Sequence, residues 1–178
     1  LRPDSYTAVA VDLDGEILSS RFEKVIISKS NFKEEFLQIV NGMRAELDSK
    51  NVKILGIGLG VSGVVNSIAG SIRYSMPFDI EESFDFAGMI HGEIDVPVFI
   101  DNDANACVWG ELAFHRRKEL KDCIFLQLEH RESGEIEPVT GNEKVKIGLG
   151  VGLVINREVH YGHDYSAGEF RSVFRKED

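Results

Sequence analysis

The sequence predicts an α/β protein, a mixed sheet flanked by helices, and three observations carry that expectation. A β-rich run, Tyr6-Thr7-Ala8-Val9-Ala10-Val11, stops at Asp12-Leu13-Asp14-Gly15 and resumes at Glu16-Ile17-Leu18, where Asp-Gly supplies the positive φ of a tight hairpin turn. Phe32, Phe36, Val40, Met43 and Leu47 recur at helical spacing and form one apolar stripe. Val52 to Val61, apolar and glycine-studded, and the compact run Val96 to Ile100 are of the kind found in buried strands.

The other elements follow in chain order. Val25-Ile26-Ile27 reads as a third strand, and Asn31 as the N-cap of the first helix with Glu34 as its capping-box partner. Gly56, Gly58 and Gly60 imply close approach of another backbone or a ligand to their strand. Ser62 to Asn66 turns the chain, Ile68 to Tyr74 reads as an irregular or edge stretch, and Phe84 to Ile90 as a short helix. After the strand ending at Ile100, a long helix is expected from Ala104 to about Leu120, with Cys107, Val108, Glu111, Leu112 and Phe114 turned inward. Cys123 to Leu128 is the next strand, and His130 to Glu143 is a polar loop or hairpin extension. Lys146 to Ile155 is a glycine-rich strand, which Asn156-Arg157-Glu158 turns into Val159-His160-Tyr161. A boundary near Lys121-Asp122 divides this into an N-terminal lobe, residues 1–121, and a partial C-terminal lobe, residues 122–178.

Composition narrows the function. Of 178 residues 43% are hydrophobic and 28% charged, with a mean hydropathy of −0.12, enough apolar side chain to offset chain entropy and exclude global disorder. Twenty basic against thirty acidic residues leave a net charge of −10, which supplies no electrostatic footprint for a nucleic-acid backbone. Cys107 and Cys123 are too few for a disulfide scaffold or a zinc ribbon and read as buried thiols. No apolar run approaches the roughly 18 residues of a membrane span, and no secretory leader is visible. The chain opens on Leu1-Arg2-Pro3-Asp4, which reads as a cut beginning, and a cytoplasmic location is expected.

The strongest chemical signal is Asp101-Asn102-Asp103, three acid or amide side chains at the carboxyl end of a buried strand and ahead of a helix. Ligands bind at that place in open α/β sheets, and the helix N-terminus keeps a carboxylate ionised and able to accept a proton or hydrogen bond. The plainer reading makes Asp103 the helix cap, which accounts for one of the three side chains. Gly148-Leu149-Gly150-Val151-Gly152 lacks the GxGxxG pattern; its small residues can let main-chain N–H groups approach phosphate, but bends or bulges in a packed strand are the favoured use. Glu169 lies in a loop, and His160 and His163 are too scattered for a metal site.

Taken together, these stretches resemble the ROK family of sugar kinases and sugar-responsive repressors. The Asp12–Gly15 turn is similar to the family's first hairpin, and Gly56 to Asn66 to its GxGxPGxVD/N loop. Pro97 to Ala106 resembles its PVxxENDAN segment, Gly148 to Gly152 its second phosphate loop, and Ala167-Gly168-Glu169-Phe170 its AGEIGH segment. The resemblance implies the actin-like ATPase (ribonuclease-H-like) fold with an incomplete second lobe. It also implies sugar contacts at Gly63, Asn102, Asp103 and Glu169, with Asp103 the proton acceptor if the protein is a kinase.

Departures from the family pattern bear on activity. Where ROK kinases carry the DxGGT phosphate motif, this chain has Arg2-Pro3-Asp4-Ser5-Tyr6; Pro3 lacks an N–H donor and Asp4 repels phosphate. Leu149 replaces a hydroxyl donor in the second loop, and Ser172 after Arg171 stands where the family has its GEIGH histidine. No cysteine follows Cys123, so the family's structural zinc is not expected, and the altered first strand leaves ATP unexpected as a cofactor. The resemblance therefore implies the sugar-effector domain of a transcriptional regulator, whose helix-turn-helix and operator DNA lie outside this chain. An ATP-dependent sugar kinase and a sugar-blind dimerisation module are the alternatives. Uncovered apolar surface is expected to favour a homo-oligomer.

Overall fold

The computed structural model describes residues 1–114, 121–136 and 143–169, with side chains described outside 129–147. Strands β1 (Ser5–Val11) and β2 (Ile17–Lys24) form the expected antiparallel hairpin. Val25-Ile26-Ile27 is not a third strand. The Val25 and Ile27 amides donate to the Asp4 and Pro3 carbonyls at 3.1 and 2.8 Å, but Pro3 has no N–H with which to return a ladder bond.

Helix α1 (Phe32–Ser49) buries all five residues of the predicted stripe. Its capping box is absent. The Asn31 side chain turns backward, its Oδ1 accepting from the Ser28 amide at 2.8 Å and its Nδ2 donating to the Ile26 carbonyl at 2.8 Å. That arrangement ties down the chain between β2 and α1 in preference to the helix end.

Only Ile57–Val61 of the long apolar run forms a strand, β3. A meander follows from β4 (Val64–Asn66), β5 (Ser71–Tyr74) and β6 (Phe84–Asp85), with β5 in its centre and not at an edge. The short helix α2 (Phe86–Met89) begins directly after β6, and Asp85 caps it by accepting from the Gly88 amide. Phe32 stands edge-on to Phe78, Phe84 and Phe86 at centroid distances of 5.3, 5.6 and 5.8 Å, the arrangement aromatic quadrupoles favour. These rings join Ile27, Val61, Val65, Ile72, Ile80 and Ile100 in one core.

Strand β7 (Val98–Asn102) pairs in parallel with β3, from Ile57↔Val98 to Val61↔Asn102. Helix α3 (Asp103–Phe114) starts at once, and its expected continuation to Leu120 lies outside the described residues. Ala104, Asn105 and Val108 are buried on it, whereas Cys107, Glu111 and Phe114 are exposed. The inward face is thus a narrower stripe than predicted, and Cys107 is not a buried thiol; Cys123 is half-buried. Strands β8 (Cys123–Ile136) and β9 (Glu143–Ile155) form a long antiparallel pair, so residues 130–136 of the polar stretch extend the hairpin, and β10 (Glu158–Val159) adds to β9; residues 137–142 lie outside the described residues. Val108, Val154 and Val159 make a second core, with Leu112, Phe125 and Tyr161 packed on it. Among the described residues, no helix is long and apolar enough to cross a membrane.

Candidate functional site

The parallel pairing of β3 and β7 brings their carboxyl ends together, so Ser62-Gly63 and Asn102-Asp103 emerge side by side. Gly63 has φ +139, and a Cβ there would run into the Tyr74 carbonyl and stand 2.9 Å from Ser75 Cβ. Only glycine takes this backbone at little cost. Ser75 is fully buried and its hydroxyl donates to the Ser62 carbonyl at 2.6 Å, which fixes the loop from below.

Strand alternation divides the three predicted polar residues between two faces. Asn102 caps α3, the role the plainer sequence reading gave to Asp103: its Oδ1 accepts from the Ala104 and Asn105 amides at 2.9 and 3.3 Å. Its Nδ2 donates to the Gly63 carbonyl at 2.9 Å, so one amide joins the loop to the helix start. Asp103, the first residue of α3, lines the cavity, and its Oδ1 also accepts from the Ala104 amide at 2.9 Å. Its Oδ2 accepts from the Ser62 hydroxyl at 2.6 Å.

Asp101 faces the other way. Its Oδ2 accepts from the Tyr161 hydroxyl at 2.7 Å, and that same oxygen of Tyr161 accepts from Trp109 Nε1 at 3.0 Å. Asp101 Oδ1 accepts from the Asn102 amide at 2.7 Å and from Asn105 Nδ2 at 3.4 Å. Burial and the bond to Asp101 raise the Tyr161 hydroxyl above the ordinary tyrosine range. This clasp fastens the segment after β10 to β7 and α3.

That segment delivers Glu169. The Ala167 amide donates to the Tyr161 carbonyl and the Glu169 amide to the Ser166 carbonyl, both at 3.1 Å. Gly168 lies at φ +89, and a Cβ on it would overlap the Val151 carbonyl oxygen. The glycine strand β9 closes the remaining side. A Cβ on Gly152 would strike Val108 and approach the Ala104 carbonyl to 3.1 Å, so the glycine allows α3 to seat on the strand.

Gly63, Asn102, Asp103 and Glu169 all line one cavity of about 220 Å³, together with Ser62, Tyr74 and residues 148–151. This is below the roughly 300–1,000 Å³ of pockets for drug-sized ligands. Desolvation, then the charge of Asp103, raises the Glu169 carboxyl above the usual glutamate range, although the residue as a whole is solvent-exposed. The cavity therefore offers one carboxylate oriented by a hydroxyl and one carboxyl that holds its proton more readily.

Sequence reasoning missed Ser62 and Tyr161 as site-building residues. Ser62 carried a usable signal, a hydroxyl at the end of an apolar strand beside a glycine. Tyr161 carried none, being 60 residues from its partner Asp101. Among the described residues no three His, Cys, Asp or Glu side chains gather to hold a metal. The Arg171-Ser172 departure lies outside the described residues.

Residues 4–130 match the model of the ROK family. The chain is 28% identical over 163 residues to a xylose repressor of Caldicellulosiruptor bescii, covering 87% of this chain and 35% of that protein. It is 25% identical over 166 residues to a glucokinase of Streptomyces coelicolor, covering 93% and 45%. Its structure superposes with a TM-score of 0.74 on a ROK family transcriptional regulator, a homologue of the E. coli MLC protein, at 19% identity over 95% of this chain and 38% of the other. A ROK glucokinase of Streptomyces griseus in complex with glucose and AMPPNP gives a TM-score of 0.72 at 22% identity, covering 96% and 47%. At these identities the structures establish the fold, the actin-like ATPase (ribonuclease-H-like) one expected from the sequence. The chain spans between about a third and a half of the length of these relatives.

Proposed function

Because this chain belongs to the ROK family, we propose that it is the sugar-effector-binding part of a ROK-type transcriptional regulator. A monosaccharide sits in the 220 Å³ cavity, with Asp103 and Glu169 accepting or sharing hydrogen bonds with its hydroxyls. Asn102 holds the Gly63 loop and the start of α3 in place around it, and keeps one amide N–H for the ligand. In the whole protein, a cytoplasmic homo-oligomer, a helix-turn-helix outside this chain reads operator DNA. Sugar and DNA then change each other's affinity by one coupling factor.

The observation that carries this reading is the contrast between two places in the fold. Ser62, Asn102, Asp103 and Glu169 line a cavity of about 220 Å³, while the turn that leads into β1 is built from Arg2-Pro3-Asp4, with the Arg2 amide donating to the Ser5 carbonyl at 2.9 Å. Such a turn lacks amide donors for a nucleotide's phosphates, so ATP is not a ligand in this reading. Isothermal calorimetry with glucose, xylose and N-acetylglucosamine is the test. Saturable heat from at least one sugar, lost in Asp103→Ala, is expected; no heat from any of them refutes the proposal.

One observation favours a second reading. The Ser62 hydroxyl at 2.6 Å orients Asp103 as a general base would be oriented toward a sugar hydroxyl. A glucokinase among the relatives agrees with it. Sugar-dependent ADP release that Asp103→Asn abolishes would establish the kinase and displace the regulator.

A further inference from the structure

Strand β5 carries one residue more than its partner β4. Val64 pairs with Tyr74 and Val65 with Ile72, so Arg73 forms a β-bulge with no residue opposite it. Cross-strand partners share a face, and neighbours along a strand take opposite faces. Ile72 and Val65 are both fully buried and mark the core side. Unbroken alternation would place Tyr74 there with Ile72. The bulge turns it to the face of Val64 instead, and Tyr74 is 43% exposed.

Arg73, next to Ile72, leaves the core side as well, and its contacts mark what that face meets. Its guanidinium donates to the Asp164 carbonyl at 3.2 Å and to Asp164 Oδ1 at 3.3 Å. Asp164 stands in the segment that delivers Glu169. Tyr74 lines the same cavity as Asp103 and Glu169, and Met76 and Pro77 continue the wall beside it. A bulge next to a site commonly re-aims a side chain, and here it places an aromatic residue opposite the carboxyl groups.

The backbone at Tyr74 is fixed, and the fold makes no use of its side chain. The adjacent Ser75 exchanges two backbone bonds with Ile80, at 2.8 and 2.9 Å, and its hydroxyl holds the Ser62 carbonyl. Among the described residues, the Tyr74 hydroxyl has no hydrogen-bond partner and its ring no aromatic neighbour. A ring held in this way loses little freedom when a ligand covers it.

The polar groups of the cavity suit only part of a sugar. Carboxylates and amides meet the hydroxyls that radiate from its rim. The two faces of the ring carry C–H groups, which such side chains do not cover. An aromatic ring covers them by burying apolar area and setting its negative face against weakly positive hydrogens.

We propose that Tyr74 contacts the ligand, its ring stacked on the C–H face of a cyclic monosaccharide whose hydroxyls meet Asp103 and Glu169. This rests on the reading of the cavity as a sugar site. It adds the ring form of the sugar as a requirement, since an open-chain polyol has the hydroxyls without the face.

Calorimetry with glucose, xylose and N-acetylglucosamine separates the two readings. No heat from the parent chain removes the sugar site and this contact with it. Where the parent binds, Tyr74→Ala is expected to weaken binding about tenfold, and Tyr74→Phe, which keeps the ring, to stay within about threefold of the parent. Equal affinity of the parent and Tyr74→Ala, or a loss in Tyr74→Phe as large as in Tyr74→Ala, overturns the stacking and leaves the sugar site standing. Proton NMR adds a readout that a merely structural role would not move. The C–H protons of the bound sugar shift upfield under the ring current in the parent and in Tyr74→Phe, and lose that shift in Tyr74→Leu; an unchanged shift in Tyr74→Leu overturns the proposal. Tyr74→Leu also replaces Tyr74→Ala in calorimetry if the alanine variant loses its native circular dichroism. Sorbitol and xylitol are expected to bind more weakly than glucose and xylose, and equal binding overturns the ring requirement.

Discussion

Replacing Tyr161 by phenylalanine removes one oxygen and keeps the ring that packs on Val108, Val154 and Val159. The loss is the bond from the tyrosine hydroxyl to Asp101 Oδ2 at 2.7 Å, together with the acceptor for Trp109 Nε1. Trp109 is 48% exposed and water replaces its partner, so the carboxylate bond decides the outcome. Hydrogen bonds to charged groups contribute about 1.5–3 kcal/mol, and the partial exposure of both partners puts this one near the lower figure. Asp101 retains the Asn102 amide and Asn105, so it is not stranded. A destabilisation of about 1.5–2 kcal/mol corresponds to a fall in Tm of roughly 3–8 °C for a chain of this size. Urea unfolding followed by circular dichroism, with the single tryptophan as a local probe, measures it. A double-mutant cycle isolates the pair, since Tyr161→Phe should cost about 1 kcal/mol less in an Asp101→Asn background. A cost below about 0.5 kcal/mol with no coupling would refute the clasp. The same variant should weaken sugar binding, because Tyr161 anchors the segment that carries Glu169.

Three further outcomes are expected. Asn102→Ala removes the cap of α3 and the bond to the Gly63 carbonyl, at a combined cost of about 1–3 kcal/mol in urea denaturation. Gly168→Ala forces a side chain onto the Val151 carbonyl at φ +89, which should displace Glu169 and abolish sugar heat in calorimetry while circular dichroism stays native. Glu169 holds its proton more tightly folded than unfolded, so the folded state binds more protons and stability falls as pH rises from the ordinary glutamate value of 4.5 through the raised native one. Glu169→Gln should therefore be slightly more stable than the parent at pH 7 and equal to it at pH 3, by urea midpoints at each pH; the effect is small because the residue is largely in water.

Local rules explain what was legible in the chain. The stripe from Phe32 to Leu47 is helical because residues three and four apart share a face whatever lies beyond it, and all five are buried. The Asp12–Gly15 turn depends on four consecutive residues. Asp103 and Gly63 stood out because the ends of buried strands run into polar loops at both places. Asn31 failed as a cap for an equally local reason: Ser28 and Ile26 offered its side chain better partners than the helix did.

By itself, then, the sequence determined the helix and hairpin, the family, and the strand ends at which polar groups collect. The tertiary structure alone decided how those groups divide, with Asn102 and Asp103 at the cavity and Asp101 clasped to Tyr161. A strand's two faces alternate at every residue, but which face is interior depends on neighbours far away in the chain.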